Sequence, residues 1–163
     1  MTTVTLGGLT VGLAILVLTG LRWWFRENHQ ISALVPFLLS AAYGMLAILT
    51  AGGIIGTTLG WALWGANGLG DLSLVYGVGG TTADVTRTHQ VALNSGGYVV
   101  VLLLTVTIAG LWKWASRIPT GKLLSGILAG ACLGLSGAVA GAAAVPLASG
   151  ANAIGIGFTM VLQ

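Results

Sequence analysis

Four apolar runs, separated by short polar or basic segments, leave this chain few ways to fold. They extend from about Val4 to Leu21, from Ile31 to about Ile54, from Tyr98 to about Leu111 and from Leu123 to about Leu147. A hydrocarbon layer about 30 Å thick is crossed by roughly 20 helical residues. None of the runs carries Asp, Glu, Lys or Arg near its centre. The 163 residues are 56% hydrophobic and only 6% charged, where soluble domains are about 25% charged. The expected fold class is all-α: an integral membrane protein with four transmembrane helices arranged as two tandem helical hairpins.

Lys and Arg collect in cytoplasmic loops, so the six basic residues report orientation. Arg22 and Arg26 follow the first run, Lys113, Arg117 and Lys122 follow the third, and only Arg87 lies in the middle segment. Five against one places both short loops in the cytoplasm, with the middle segment and both termini outside. The first run has no basic residue before it and two after it, the reverse of a signal peptide, so it is expected to be retained.

The two halves resemble each other. A shift of ninety positions pairs Gly7 with Gly97, Gly20 with Gly110, Trp24 with Trp114, Ala41 with Ala131 and Gly44 with Gly134. A Gly-Ala-Asn segment closes each half, Gly65–Gly70 and Gly150–Gly155, with Asn67 and Asn152 matched. These residues fit helix capping or hydrogen bonding between subunits. Two like hairpins in one orientation would be a parallel repeat from internal duplication. The expected divisions are 1–70 as the first hairpin, 71–96 as an extracytoplasmic extension and 97–163 as the second hairpin. Within the extension, Thr82 to Leu93 fits a short helix with Asp84 in its first turn. Low polarity persists from Ile31 to Trp64, roughly 50 Å of helix, so this run either breaks at Gly52-Gly53 and Gly56 or projects from the bilayer.

Three patterns bear on function. Gly126, Gly130 and Gly134, followed by Gly137 and Gly141, form a small-residue stripe that lets a neighbouring helix approach closely, within the chain or between chains. Arg22 with Arg26, and Lys113 with Arg117, are each spaced by one helical turn and share a face. Together with Lys122 they can meet phosphate, of lipid or of nucleic acid. Trp23, Trp24, Trp112 and Trp114 suit the inner membrane interface, and Trp61 and Trp64 the outer one.

Other chemistries are disfavoured. Ion-coupled transport normally needs an ionisable residue inside the membrane. His29 and His89 have no Cys or carboxylate neighbour at metal-ligand spacing. Glu27 is divided by the membrane from Asp71 and Asp84, which argues against a paired acid and base. Cys132 is alone in the chain, a buried and inert thiol with no intrachain partner. No enzymatic activity and no cofactor are expected.

A short basic turn joining two apolar helices, with both termini outside, resembles the conjugative pilins of type IV secretion systems. The residues that carry the likeness are Arg22 and Arg26 in one hairpin and Lys113, Arg117 and Lys122 in the other. The composition, rich in Gly, Ala, Val and Thr, also resembles small membrane proteins of actinobacterial mobile elements. The pilin resemblance implies a subunit held in the bacterial cytoplasmic membrane and assembled into a filament with bound phospholipid, its basic turn facing the lumen. The implied partners are further copies of the chain, membrane lipids, nucleic acid in transit and other secretion or envelope components. Two alternatives of a different kind are a structural membrane protein of a virion or envelope, and an accessory subunit of a larger membrane complex.

Overall fold

In the computed structural model, residues 4–50, 53–85, 93–114, 120–136 and 141–161 are described. The chain is all-α, with one minimal ladder among the described residues. Among the described residues there are six α-helices: α1 (Leu6–Arg26), α2 (Ile31–Ala47), α3 (Gly53–Leu72), α4 (Ser95–Trp114), α5 (Thr120–Gly134) and α6 (Gly141–Val161). Two of them, α1 and α4, are long and apolar enough to cross a membrane. Most of their apolar windows face outward, unlike the core helix of a soluble protein.

The second and fourth apolar runs are not single helices. α2 ends at Ala47, and Gly53 starts α3 with a φ of +76°, a left-handed conformation that glycine adopts without steric penalty. α5 ends at Gly134, and α6 begins at Gly141. Both breaks are closed by a hydroxyl. Thr50 Oγ1 donates to the Ala47 carbonyl at 2.6 Å, and Ser136 Oγ donates to the Leu133 carbonyl at 2.8 Å. Each hydroxyl joins its own residue's amide on that carbonyl, the Thr50 amide at 3.2 Å and the Ser136 amide at 3.0 Å. α2 and α5 therefore have 17 and 15 residues, about 26 and 22 Å at 1.5 Å per residue.

α2 and α5 pack along each other at the centre, while α1 packs on α3 and α4 on α6. Phe37, Ser40, Ala41 and Leu46 of α2 are buried against Gly126, Ala129, Gly130 and Leu133 of α5. α1 lies closely on α5, whereas α4 makes a sparser contact with α2.

The extension differs from its expected form. α3 continues beyond Leu72 through a π-helical segment, Ser73–Val78, and stops at Gly79 with a φ of 72°. Asp71, read as the first residue of a polar loop, is thus inside a helix. Strand β1 (Val4–Thr5) pairs antiparallel with β2 (Asp84–Val85), and the Leu6 amide donates to the Ala83 carbonyl at 2.8 Å. Residues 82–85 therefore do not start a helix, and 86–92 lie outside the described residues. β-branched Val4, Thr5 and Val85 favour an extended backbone. The Ala83 carbonyl also meets an amide that the first turn of α1 leaves open.

Candidate functional site

The first basic turn is a built structure. Asn28 and His29 take left-handed φ values of 48° and 60°, which fold the chain back within four residues of the end of α1. Trp23 Nε1 donates to the Gln30 carbonyl at 2.9 Å. The His29 ring meets Trp23 and Trp24 edge-on, at centroid distances of 5.4 and 4.2 Å. Those aromatic contacts give His29 a packing role, in a turn whose only carboxylate is Glu27.

Glu27 gathers charge from both halves of the chain. Its Oε1 lies 2.5 Å from Lys122 Nζ, at the start of α5, and 3.6 Å from Arg22 Nε. Lys122 Nζ also donates to the Ala33 carbonyl at 2.9 Å. The Lys122 and Glu27 side chains are only 13% and 17% exposed, whereas that of Arg22 is mostly exposed. A cleft of about 100 Å³ beside them is lined by Thr19, Arg22, Gly121 and Ser125. A charge pair taken out of water is favourable only when hydrogen bonds satisfy its remaining protons, and the Ala33 carbonyl takes one of these from Lys122.

The five basic residues therefore divide. Arg22, Arg26 and Lys113 are exposed, with Lys113 Nζ 5.8 Å from the Trp114 ring centre. Lys122 turns inward onto Glu27, away from the phosphate-facing band expected from spacing alone. Arg117 lies outside the described residues.

The glycine stripe is occupied within the chain. A β-carbon on Gly126 would collide with Ser40 and the Phe37 carbonyl, and one on Gly130 with the backbone of Ala41. At Gly134 it would stand 2.9 Å from Met45 Cα. From the other side, Gly44 abuts the backbone of Ile127 and Ala131. Gly137 lies outside the described residues, and Gly141 opens α6. Trp61 and Trp64, on the outer face of α3, are 79% and 80% exposed. Trp24, Trp112 and Trp114 are also exposed, while Trp23 is half-buried.

The two Gly-Ala-Asn segments do the same work in each half. Asn67 Oδ1 accepts from the Thr5 amide at 3.3 Å, and Asn152 Oδ1 accepts from the Asn94 amide at 3.0 Å. Thr5 in turn caps α1 by accepting from the Gly8 amide at 3.2 Å, and Asn94 accepts from the Gly97 amide at 2.7 Å. Backbones meet just beyond these caps, Gly7 against Gly70 and Gly96 against Gly155. The matched first-helix positions are 89 apart, so Gly7 corresponds to Gly96 and not to Gly97.

Sequence reasoning identified the asparagines and the glycine stripe but missed the Glu27–Lys122 link and the hydrogen bond between Tyr43 and Thr105, 3.1 Å long. One signal was available for the link: Glu27 is the only carboxylate between the first two apolar runs. Among the described residues, no three His, Cys, Asp or Glu side chains come together as a metal site. Comparison with known proteins finds no match to this chain, whether by family model, by characterised sequence or by solved structure.

Proposed function

We propose that this chain is a non-enzymatic, multi-pass subunit of a bacterial cytoplasmic membrane. In this reading it self-assembles, like a conjugative pilin, into a ring, pore or filament that passes DNA or another macromolecule. Four crossings with the basic turns inside, and an origin by internal duplication, belong to the same proposal. The observation that carries it is the wide apolar surface that the described residues leave uncovered, including Val17, Leu18 and Phe25 on α1, Trp61 and Trp64 on α3, and Leu102 and Val106 on α4. Apolar surface on this scale belongs against lipid or against other subunits.

The glycine stripe is engaged between α2 and α5, so contact between copies falls to other faces. The outer faces of α3 and α6 are among those available. α3 presents Ile54, Trp61, Trp64 and Leu69, and α6 presents Val145, Ile154 and Met160. Around Gly150 and Gly157 on α6 there is open space. A contact between two unlike faces builds rings when its rotation closes and filaments when it does not. The polyanion part of the proposal rests on Arg22, Arg26 and Lys113, since Lys122 is neutralised by Glu27.

The test is the size and shape of the full chain in mild detergent and in lipid, by light scattering and negative-stain microscopy. Wild type should give rings or filaments, and Trp61→Ala with Trp64→Ala should give single subunits. A wild type that stays monomeric in lipid sinks the self-assembly reading.

A further inference from the structure

We propose that α3 and α6 do not cross the membrane but lie in its plane, seated in the outer leaflet as a roof over the outer end of the α1, α2, α4 and α5 bundle. The proposal deepens the membrane reading above, on which it rests, and is independent of self-assembly. Gly12 of α1 abuts Cys132 and Leu133 of α5, while Arg22, toward the other end of α1, shares Glu27 with Lys122. Met45 of α2 meets Gly134. α1 is therefore antiparallel to α2 and α5, whose outer ends come level with the start of α1.

Both ends of α3 are at this outer end. A β-carbon on Gly56 would meet the carbonyl of Thr50, just past the end of α2, and one on Gly70 would collide with the backbone of Gly7. Gly56 and Gly70 are 14 positions apart, about 21 Å of helix. A crossing helix would carry that length toward the inner face. α3 instead finishes at the level where it began, so it runs across the bundle. It packs on α5 on the way, with Leu59, Leu63 and Ala66 buried on its underside. α6 repeats the plan: it opens at Gly141, soon after α5 ends, passes over α2 and brings Gly155 onto the backbone of Gly96 in the first turn of α4.

Thickness fixes the depth. α2 and α5, about 26 and 22 Å long, fall short of a hydrocarbon layer of about 30 Å, whereas α1 and α4, with 21 and 20 residues, match it. A helix packed across the short pair adds about 8–10 Å, which brings the bundle to full thickness and sets the roof beside the first turns of α1 and α4. Its chemistry suits that level. α6 has no charged residue, and the only one in α3 is Asp71. The Asp71 carboxylate lies against Gly7 at the start of α1, where the helix dipole favours an anion. The exposed face of α3 is apolar too, at Ile54, Trp61, Trp64 and Leu69, and its exposed Thr57 and Thr58 donate to carbonyls of their own helix. A helix apolar on both faces belongs out of water, and tryptophan concentrates at the headgroup level. The roof also closes the outer end of the bundle, so any passage runs between copies.

Trp61 and Trp64 flank the midpoint of α3, so their depth separates a lying helix from a crossing one. The full chain is reconstituted in phosphatidylcholine vesicles that carry a nitroxide either next to the headgroup or near the end of the acyl chain. The emission of Trp61→Phe with Trp64→Phe is then subtracted from that of wild type. Nitroxides quench through space, so an indole beside a neighbouring copy is still reached. The difference should be quenched at least two-fold more by the shallow label. So should the emission that Gly150→Trp, in open space at the midpoint of α6, adds to the doubly substituted chain. A smaller ratio, or stronger quenching from the deep label, at either helix would show a crossing and overturn the roof. Quenching from neither label, with the four remaining tryptophans still quenched by the shallow one, would put the helices in water and overturn the roof alone. Loss of quenching at those four as well would overturn the membrane reading with it. Should the double variant fail to fold, Trp61→Phe and Trp64→Phe taken singly give the same comparison.

Discussion

Phe37 and Gly126 face each other across α2 and α5, 89 positions apart in the chain. Ala41 meets Gly130 and Met45 meets Gly134 at the same interval, and Ala33 meets Lys122. An interval that stays constant along both helices requires them to run parallel in register. At each of these three positions the glycine of α5 meets backbone of α2, and Gly44 of α2 in turn meets the backbone of Ile127 and Ala131. The stripe is thus used up inside one chain.

Adding one methyl group at a stripe glycine should show how tight this seam is. Gly130→Ala drives a β-carbon into the Ala41 backbone, and overpacking of this kind costs about 1–3 kcal/mol. Gly150→Ala meets open space and gains helix propensity, up to about 1 kcal/mol. Thermal unfolding in detergent should show the first variant destabilised and the second neutral or stabilised. Equal effects at both positions would mean that the stripe is not a tight seam.

The Glu27–Lys122 pair should behave as a clamp between the halves. Glu27→Gln leaves a largely buried ammonium with neutral acceptors and no counter-charge and should destabilise by about 1–3 kcal/mol, a value reduced from fully buried pairs because both groups retain some solvent. Lys122→Met in the same chain removes the orphaned charge and should recover much of that loss. A double-mutant cycle on unfolding midpoints measures the coupling. Additive losses would show that the two groups do not act on each other.

Asn67→Ala and Asn152→Ala should weaken the same feature twice. Each deletes the acceptor for the amide that precedes α1 or α4, and an unsatisfied donor costs about 1–3 kcal/mol when buried. Hydrogen exchange should accelerate at Thr5 in the first variant and at Asn94 in the second. Exchange unchanged at both amides would remove the capping role.

What the sequence made legible follows from range. All-α structure was readable because the apolar runs are local, and glycine spacing was readable because it lies on one helix. The break before Gly53 was one of the two outcomes that the excess length of the second run allowed, whereas the end of α5 at Gly134 was not readable, since it changes neither charge nor hydropathy. Lys122 looked like one more surface cation. Its partner is 95 positions away, and only the parallel register of α2 and α5 brings α5's first turn to the loop before α2. The first-helix residues of like contacts in the two halves lie 89 positions apart, one less than the shift of ninety read from the sequence, because matches among Gly, Leu and Ala recur at neighbouring shifts.

The membrane orientation can be tested apart from assembly. α1 spans 21 residues, about 31 Å, between the ladder that holds Val4 and Thr5 and the turn that holds Asn28. If it crosses the hydrocarbon layer, those two ends lie in different compartments. In a Cys132→Ala background, single cysteines at Asn28 and at Thr81 should react from opposite faces of sealed inverted and right-side-out vesicles with a charged maleimide. Asn28 should label from the cytoplasmic face, because Arg22 and Arg26 flank it and basic loops stay inside. Labelling of both cysteines from one face would mean that α1 does not cross, and its exposed Val17, Leu18 and Phe25 would then need a protein partner and not lipid to cover them.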